Sequence, residues 1–328
     1  MYDRESPRFA KRIRSRSSNR KGDFSLSLLH RIQKLISEPP PYRLFEITEE
    51  SVAVVPPHSP ALQRQVVLNE RGAMASPAAP NLLKPQLYRD ALRQISPLAG
   101  EKRPTAGLVI PDYAVRMAVI DLEEFPSGEE ERLSLLRFRL RKTVPFHIDE
   151  AQLSYSIQVN EPKRIEVLTV SIARPILDEY EALIKDEGYR VGLVVPSSVA
   201  VLPLCVNEEK GLTVVAKTAG STLSVMLLDG GRVRLVRCLD LALSAEEGAV
   251  SEERAVMPLL QQTLAYAEDQ IGQPISRLLL GGFGPDTDFI GRQAQRELKV
   301  SYAPLRSKFG APSQANAGLL GLLEQYAA

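Results

Sequence analysis

The residue types that most often perform catalysis are few in this chain and lie far apart. Its three histidines, His30, His58 and His147, have no acidic or nucleophilic partner at a spacing that supports acid–base work. The two cysteines, Cys205 and Cys238, lie in apolar segments, where a thiol serves as a small hydrophobic side chain. No Gly-x-Ser-x-Gly sequence is present. We therefore expect no catalytic residue and no metal site.

Composition points to a soluble globular protein. The 328 residues are 44% hydrophobic and 25% charged, which is enough for two domains with buried cores. The N-terminus lacks the apolar core of a signal peptide and no run suits a membrane span, so we expect a cytoplasmic location. Residues 1–21 carry eight Lys and Arg against two acidic residues, whereas the net charge of the chain is only +1. The body is therefore mildly acidic, which argues against a nucleic-acid partner.

The basic N-terminus is predicted to be a disordered tail over residues 1–22, followed by an amphipathic helix over 23–40. The cationic side chains that could face an anionic membrane surface are Arg12, Arg14, Arg16, Arg20 and Lys21. Either the tail and helix rest on lipid, or the helix packs on the body and the tail only aids solubility.

The order of predicted strands and helices repeats once along the chain. Each repeat has a hairpin with a third strand, followed by alternating helices and strands; the two hairpins lie at 42–56 and 212–238, the second turning at Asp229-Gly230-Gly231. This duplication predicts an α/β, actin-like (ribonuclease-H-like) fold with an inserted α+β subdomain. The expected parts are subdomain 1A over 41–104 and 174–207, an insert (1C) over 105–173, and a second half (2A/2B) over 208–328 whose last helix returns to the first half.

Four short segments together resemble the PilM family of type IV pilus assembly proteins. They are the strand at 108–115, the acidic helix start Glu129-Glu130-Glu131 with its Val-Pro-Phe end at 144–146, the hairpin strand at 222–225, and Leu278-Leu-Leu-Gly-Gly282. The match spans about residues 41–325. It implies a fold similar to the cell-division protein FtsA and a place beneath the inner membrane, where the protein forms a ring. It also implies binding of ATP and of the N-terminal cytoplasmic peptide of a PilN-like membrane protein.

The resemblance also implies two phosphate-binding hairpins that begin Asp-Ile-Gly, and this chain departs from both. In the first hairpin, Glu46 stands at the aspartate and Thr48 at the glycine. In the second, Val215 stands at the aspartate and Lys217, followed by Thr218, at the glycine. A β-carbon at the glycine blocks backbone donation to phosphate, and valine cannot orient metal-bound water.

These departures predict a pseudo-ATPase, because each lost catalytic contact costs a factor of about 10²–10³ in rate. Only Gly281 and Gly282, which approach the adenosine in the family, stand as expected, and they are also explained by an ordinary strand-to-helix turn. Lys217 could still pair with a phosphate, so ATP with Mg²⁺ is disfavoured as a cofactor but left open.

We therefore expect a scaffold that binds a PilN-like peptide in a groove between the first subdomain and the insert. One rival is an ATP-binding or phosphotransferase enzyme of the actin and sugar-kinase superfold. A second rival is an unrelated α/β protein, which requires that the two hairpins do not face each other.

Overall fold

The first sheet has five strands in the order β3-β2-β1-β4-β8. Its strands are β1 (Arg43–Ile47), β2 (Ser51–Val55), β3 (Arg64–Val67), β4 (Thr105–Ile110) and β8 (Arg190–Pro196). The antiparallel trio β1 to β3 continues into β4 and β8, which run parallel to β1. The computed structural model describes residues 40–98, 103–205, 211–241 and 252–326. The tail and the helix expected over 23–40 lie outside the described residues, apart from residue 40.

Helices cover both faces of this sheet. On one face lie α1 (Pro85–Ile95) and α3 (Arg174–Asp186), whose first turns contain a proline that needs no hydrogen-bond acceptor there. The other face is covered by two short helices, α4 (Ser197–Ala200) and α5 (Leu202–Cys205), and by α8 (Ala317–Tyr326). Gly321 allows α8 to cross α4 closely, because a β-carbon there would lie 2.0 Å from the carbonyl oxygen of Ala200.

The second half repeats this arrangement in a sheet of order β11-β10-β9-β12-β13. Its strands are β9 (Leu212–Ala219), β10 (Thr222–Asp229), β11 (Arg232–Asp240), β12 (Ile275–Gly281) and β13 (Ser301–Pro304). The helices α6 (Glu252–Ile271) and α7 (Thr287–Leu298) pack on it. Gly230 and Gly231 both have positive φ, as the tight turn between β10 and β11 requires.

The insert is a three-stranded antiparallel sheet of order β5-β7-β6 with one helix. Its elements are β5 (Arg116–Leu122), α2 (Glu129–Leu140), β6 (Gln152–Glu161) and β7 (Arg164–Ile172). The expected start of the insert at residue 105 is wrong, because β4 pairs with β1 and β8 inside the first sheet. A short apolar run buried on both faces suits a central parallel strand better than a solvated antiparallel one.

The insert also contacts the second half. The Gln158 side chain donates to the carbonyl of Val233 and accepts from its N–H, both at 2.8 Å. Arg234 of β11 forms an ion pair of 2.9 Å with the buried Glu166 of β7. Hydrogen bonds and an ion pair therefore join the insert to β11 of the second half. Within the described part of the chain, no helix is both long and apolar enough to cross a membrane.

Candidate functional site

The turns of the two expected phosphate hairpins face each other where the halves meet. The backbone N–H of Ser221, in the β9–β10 turn, lies 3.3 Å from the carboxylate of Glu49 in the β1–β2 turn. Thr48 uses its hydroxyl inside its own turn, 2.7 Å from that of Ser51. Tyr88 of α1 supports the same turn, its hydroxyl 2.8 Å from the carbonyl oxygen of Thr48. The rival fold in which these hairpins do not meet is thereby excluded.

Glu46 stands at the expected aspartate position of β1. It is only 2% exposed, and its carboxylate accepts hydrogen bonds from other parts of the chain. The hydroxyl of Ser197 donates to it at 2.7 Å, and the first turn of α8 donates two N–H groups, from Leu319 at 2.8 Å and from Gly318 at 3.3 Å. Burial raises the pKa of Glu46, while nearby Lys217 and these hydrogen bonds act in the opposite direction. Glu46 therefore connects β1 to the two crossing helices.

Lys217, at the expected glycine of β9, is also buried and forms an ion pair across the two halves. Its Nζ lies 3.4 Å from Oδ2 of Asp112, and both side chains are 2% exposed. Asp112 further accepts from the N–H and the hydroxyl of Ser198, both at 2.6 Å, and from the hydroxyl of Ser224 at 2.7 Å. Lys217 therefore directs its ammonium at Asp112 and is not exposed at the surface.

Gly281 and Gly282 lie at the end of β12, against the second hairpin. Gly282 has φ +81°, and a β-carbon there would lie 2.1 Å from the carbonyl oxygen of Thr218. At Gly281 a β-carbon would lie 2.5 Å from Cδ1 of Leu305. Close packing therefore accounts for both glycines. Beside them an open depression of about 790 Å³ is lined by Gly282, Asp288, Arg306 and Ser313 among others.

The nucleotide that the fold implies fits this cluster poorly on its phosphate side. The Lys217 ammonium is buried against Asp112, and the carboxylates of Glu46 and Asp112 accept hydrogen bonds from Ser197 and Ser224 of the protein itself. No group of three or more His, Cys, Asp or Glu that could hold a metal ion occurs among the described residues. An open depression large enough for a nucleoside lies on the Gly282 side.

Sequence reasoning missed several members of this cluster: Asp112, Ser197, Ser198 and Ser224. Asp112 had a usable signal, since it follows the carboxyl end of a buried parallel strand, where functional side chains of α/β sheets gather. Ser197 and Ser198 had none, because α4 lies in an apolar, proline-flanked stretch without helical periodicity. Ser224 is one of the alternating residues of β10, and nothing in that alternation indicates a contact with Asp112.

A second feature is an apolar groove between the first sheet and the insert, with a volume of about 210 Å³. The edge strands β8 and β6 contribute Leu193, Val194, Ser154 and Tyr155 among others, and β7 and α8 also line the groove. None of the described residues that line it is Asp, Glu, Lys, Arg or His. The groove lies where the sequence analysis expected a peptide.

Comparison with known proteins defines the class of fold. No family model and no curated protein matches the chain. It is similar to a Bacteroides thetaiotaomicron protein described as having an actin-like ATPase fold and unknown function, with a TM-score of 0.51 and 12% identity over 86% of this chain and 94% of that one. The chain therefore has the expected actin-like fold.

Within this fold the architecture is PilM-like. The chain is similar to a chain of the structure described as the PilM-PilN type IV pilus biogenesis complex, with a TM-score of 0.66 and 15% identity. The similarity covers 89% of this chain and 100% of that chain. This likeness confirms the fold expected from the four sequence segments, in a divergent form.

Proposed function

We propose that the chain is a scaffold of a type IV pilus or related secretion assembly complex at the cytoplasmic face of the inner membrane. In this proposal it binds the N-terminal cytoplasmic peptide of a PilN-like membrane protein. The observation that carries the proposal is the uncharged groove between β6 and β8. The likeness to the PilM-PilN complex structure supports it.

The groove suits an extended, apolar peptide. Edge strands have unpaired N–H and C=O groups, so a peptide that enters between β6 and β8 can add to a sheet through main-chain hydrogen bonds. Aliphatic walls take its apolar side chains, while Gln152, Ser154 and Gln325 supply uncharged polar groups at the groove. Because none of the described lining residues is charged, affinity should depend little on salt.

In this proposal the protein has no ATPase activity. Its support is the pair of altered hairpins, in which Thr48 bonds to its own turn and Lys217 is buried against Asp112. The alternative, an ATP-binding enzyme of the same superfold, draws on the open depression beside Gly282. Mg-ATP titration into purified protein separates the two: heat of binding below millimolar ATP would favour the alternative.

Ring formation and contact of Arg12, Arg14, Arg16, Arg20 and Lys21 with anionic lipid remain predictions. These five residues lie outside the described ranges.

Peptide binding tests the scaffold function directly. Fluorescence anisotropy would measure binding of labelled peptides that copy the cytoplasmic N-termini of PilN-like proteins. Ser154→Arg places a long cation in the groove and should weaken binding at least tenfold, whereas Ser134→Arg on the exposed face of α2 should not. Equal affinities of the two variants would place the peptide elsewhere, and no binding by the unmodified protein would overturn the proposal.

A further inference from the structure

Glu49 is a buried carboxylate that reaches from one half of the molecule to the other. It lies in the β1–β2 turn, a position that is usually solvated, yet its side chain is 3% exposed. Its Oε2 accepts from the N–H of Ser221 at 3.3 Å and lies 3.4 Å from the hydroxyl of the same residue. Its Oε1 accepts from the N–H of Ala75 at 2.9 Å, and Arg71 lies 3.7 Å from Oε2.

This set of donors is one that binds oxyanions in general. Two backbone N–H groups, one hydroxyl and one guanidinium converge on a single negative charge. The turn of β9 and β10 is shaped to the carboxylate, because a β-carbon on Gly220 would lie 2.5 Å from Oε2 of Glu49. Gly220 also has φ +56°, which disfavours any other residue.

We propose that the space between the two hairpin turns is an oxyanion site whose resident anion is Glu49 of the chain itself. Glu49 then joins the halves through the donors that would otherwise hold a free oxyanion such as phosphate. This inference is independent of the peptide groove, since it concerns how the halves are held together without an added ligand.

Other contacts also hold the halves together, so removal of the Glu49 side chain should be tolerated. Asp112 contacts Lys217 and Ser224 of the second half, and Gln158 of the insert binds Val233. Loss of the Glu49 side chain should leave a small cavity with its donors intact, which inorganic phosphate can enter.

The test compares Glu49→Ala with Glu50→Ala. Glu50 is the neighbouring residue, is 54% exposed and contacts the same arginine at 3.5 Å, so it controls for charge and for the turn. Melting temperatures would be measured in sodium phosphate and in sodium chloride at equal ionic strength, and phosphate binding by isothermal titration.

We expect Glu49→Ala to melt several degrees lower than Glu50→Ala in chloride, and phosphate to recover most of that loss. Phosphate should bind Glu49→Ala at least tenfold more tightly than it binds the unmodified protein or Glu50→Ala. Equal melting of the two variants in chloride, or equal phosphate affinity of all three proteins, would overturn the proposal.

If Glu49→Ala does not fold, Glu49→Gln provides the second variant. Its amide fills the same space without the charge. The Glu49→Gln variant should therefore have a lower melting temperature than the unmodified protein, and phosphate should not raise it. Recovery of Glu49→Gln by phosphate would contradict the proposal, because the site would then take phosphate with the side chain still in place. Peptide binding by the same variants should be unchanged, which separates this result from a failure of the scaffold function.

Discussion

Replacement of Lys217 by methionine would test whether the cluster between the halves is structural. The Lys217 ammonium lies 3.4 Å from Asp112, and both side chains are almost fully buried. At an effective dielectric constant of about 20, charges at this distance attract by roughly 5 kcal/mol, most of which offsets their desolvation. Methionine keeps the length of the side chain but leaves Asp112, and nearby Glu46, buried without a cation.

The free energy of unfolding should therefore fall by about 3–5 kcal/mol in Lys217→Met, measured by urea denaturation followed by circular dichroism. Lys185→Met is the control, since Lys185 forms an exposed pair with Glu181 whose loss should cost under about 1 kcal/mol. The double variant with Asp112→Asn should recover part of the loss. A loss in Lys217→Met no larger than that of Lys185→Met would refute the reasoning.

The remaining predictions concern Gly282 and Glu46. Gly282→Ala should lose more than about 2 kcal/mol in free energy of unfolding, because its β-carbon would overlap the carbonyl oxygen of Thr218 at positive φ. Gly284→Ala, at φ +55° with no atom within 4 Å, should lose only about 1–2 kcal/mol; equal losses would contradict the overlap. Glu46→Gln removes a carboxyl whose pKa is raised above 4.5 in the folded protein. The folded state therefore holds this proton more tightly than the unfolded state does. As pH rises above about 4.5, the free energy of unfolding of the unmodified protein should fall relative to that of Glu46→Gln. The fall should be about 1.4 kcal/mol per unit of pKa difference between the folded and unfolded states. If urea denaturation gives a difference in free energy of unfolding between the two proteins that does not change with pH, burial does not perturb the pKa of Glu46.

Local sequence patterns predicted most of the strands and helices of the described residues. The hairpin around Asp229-Gly230-Gly231 followed from residues that accept positive φ between alternating apolar runs. The doubled order of elements predicted the actin-like fold, because elements close in sequence pair with one another in each half. Residues 105–110 were assigned to the insert but form a strand of the first sheet, since a buried strand can pair with any neighbour.

The candidate site was predicted only in part. Glu46, Lys217 and Gly282 could be found by their places in the family pattern, but the partners that give them their roles could not. Asp112 meets Ser198 and Ser224 across 86 and 112 residues of sequence, and Glu49 meets Ser221 across 172. No local periodicity records contacts of such separation.

The sequence by itself therefore determined the elements and their repeated order, because these depend on backbone preferences and on neighbours along the chain. Only the tertiary structure decided that Lys217 is buried against Asp112 and that Glu49 reaches the opposite turn. The physical reason is that a buried charge is tolerated only where the fold brings donors or opposite charge to it, and here those groups come from both halves.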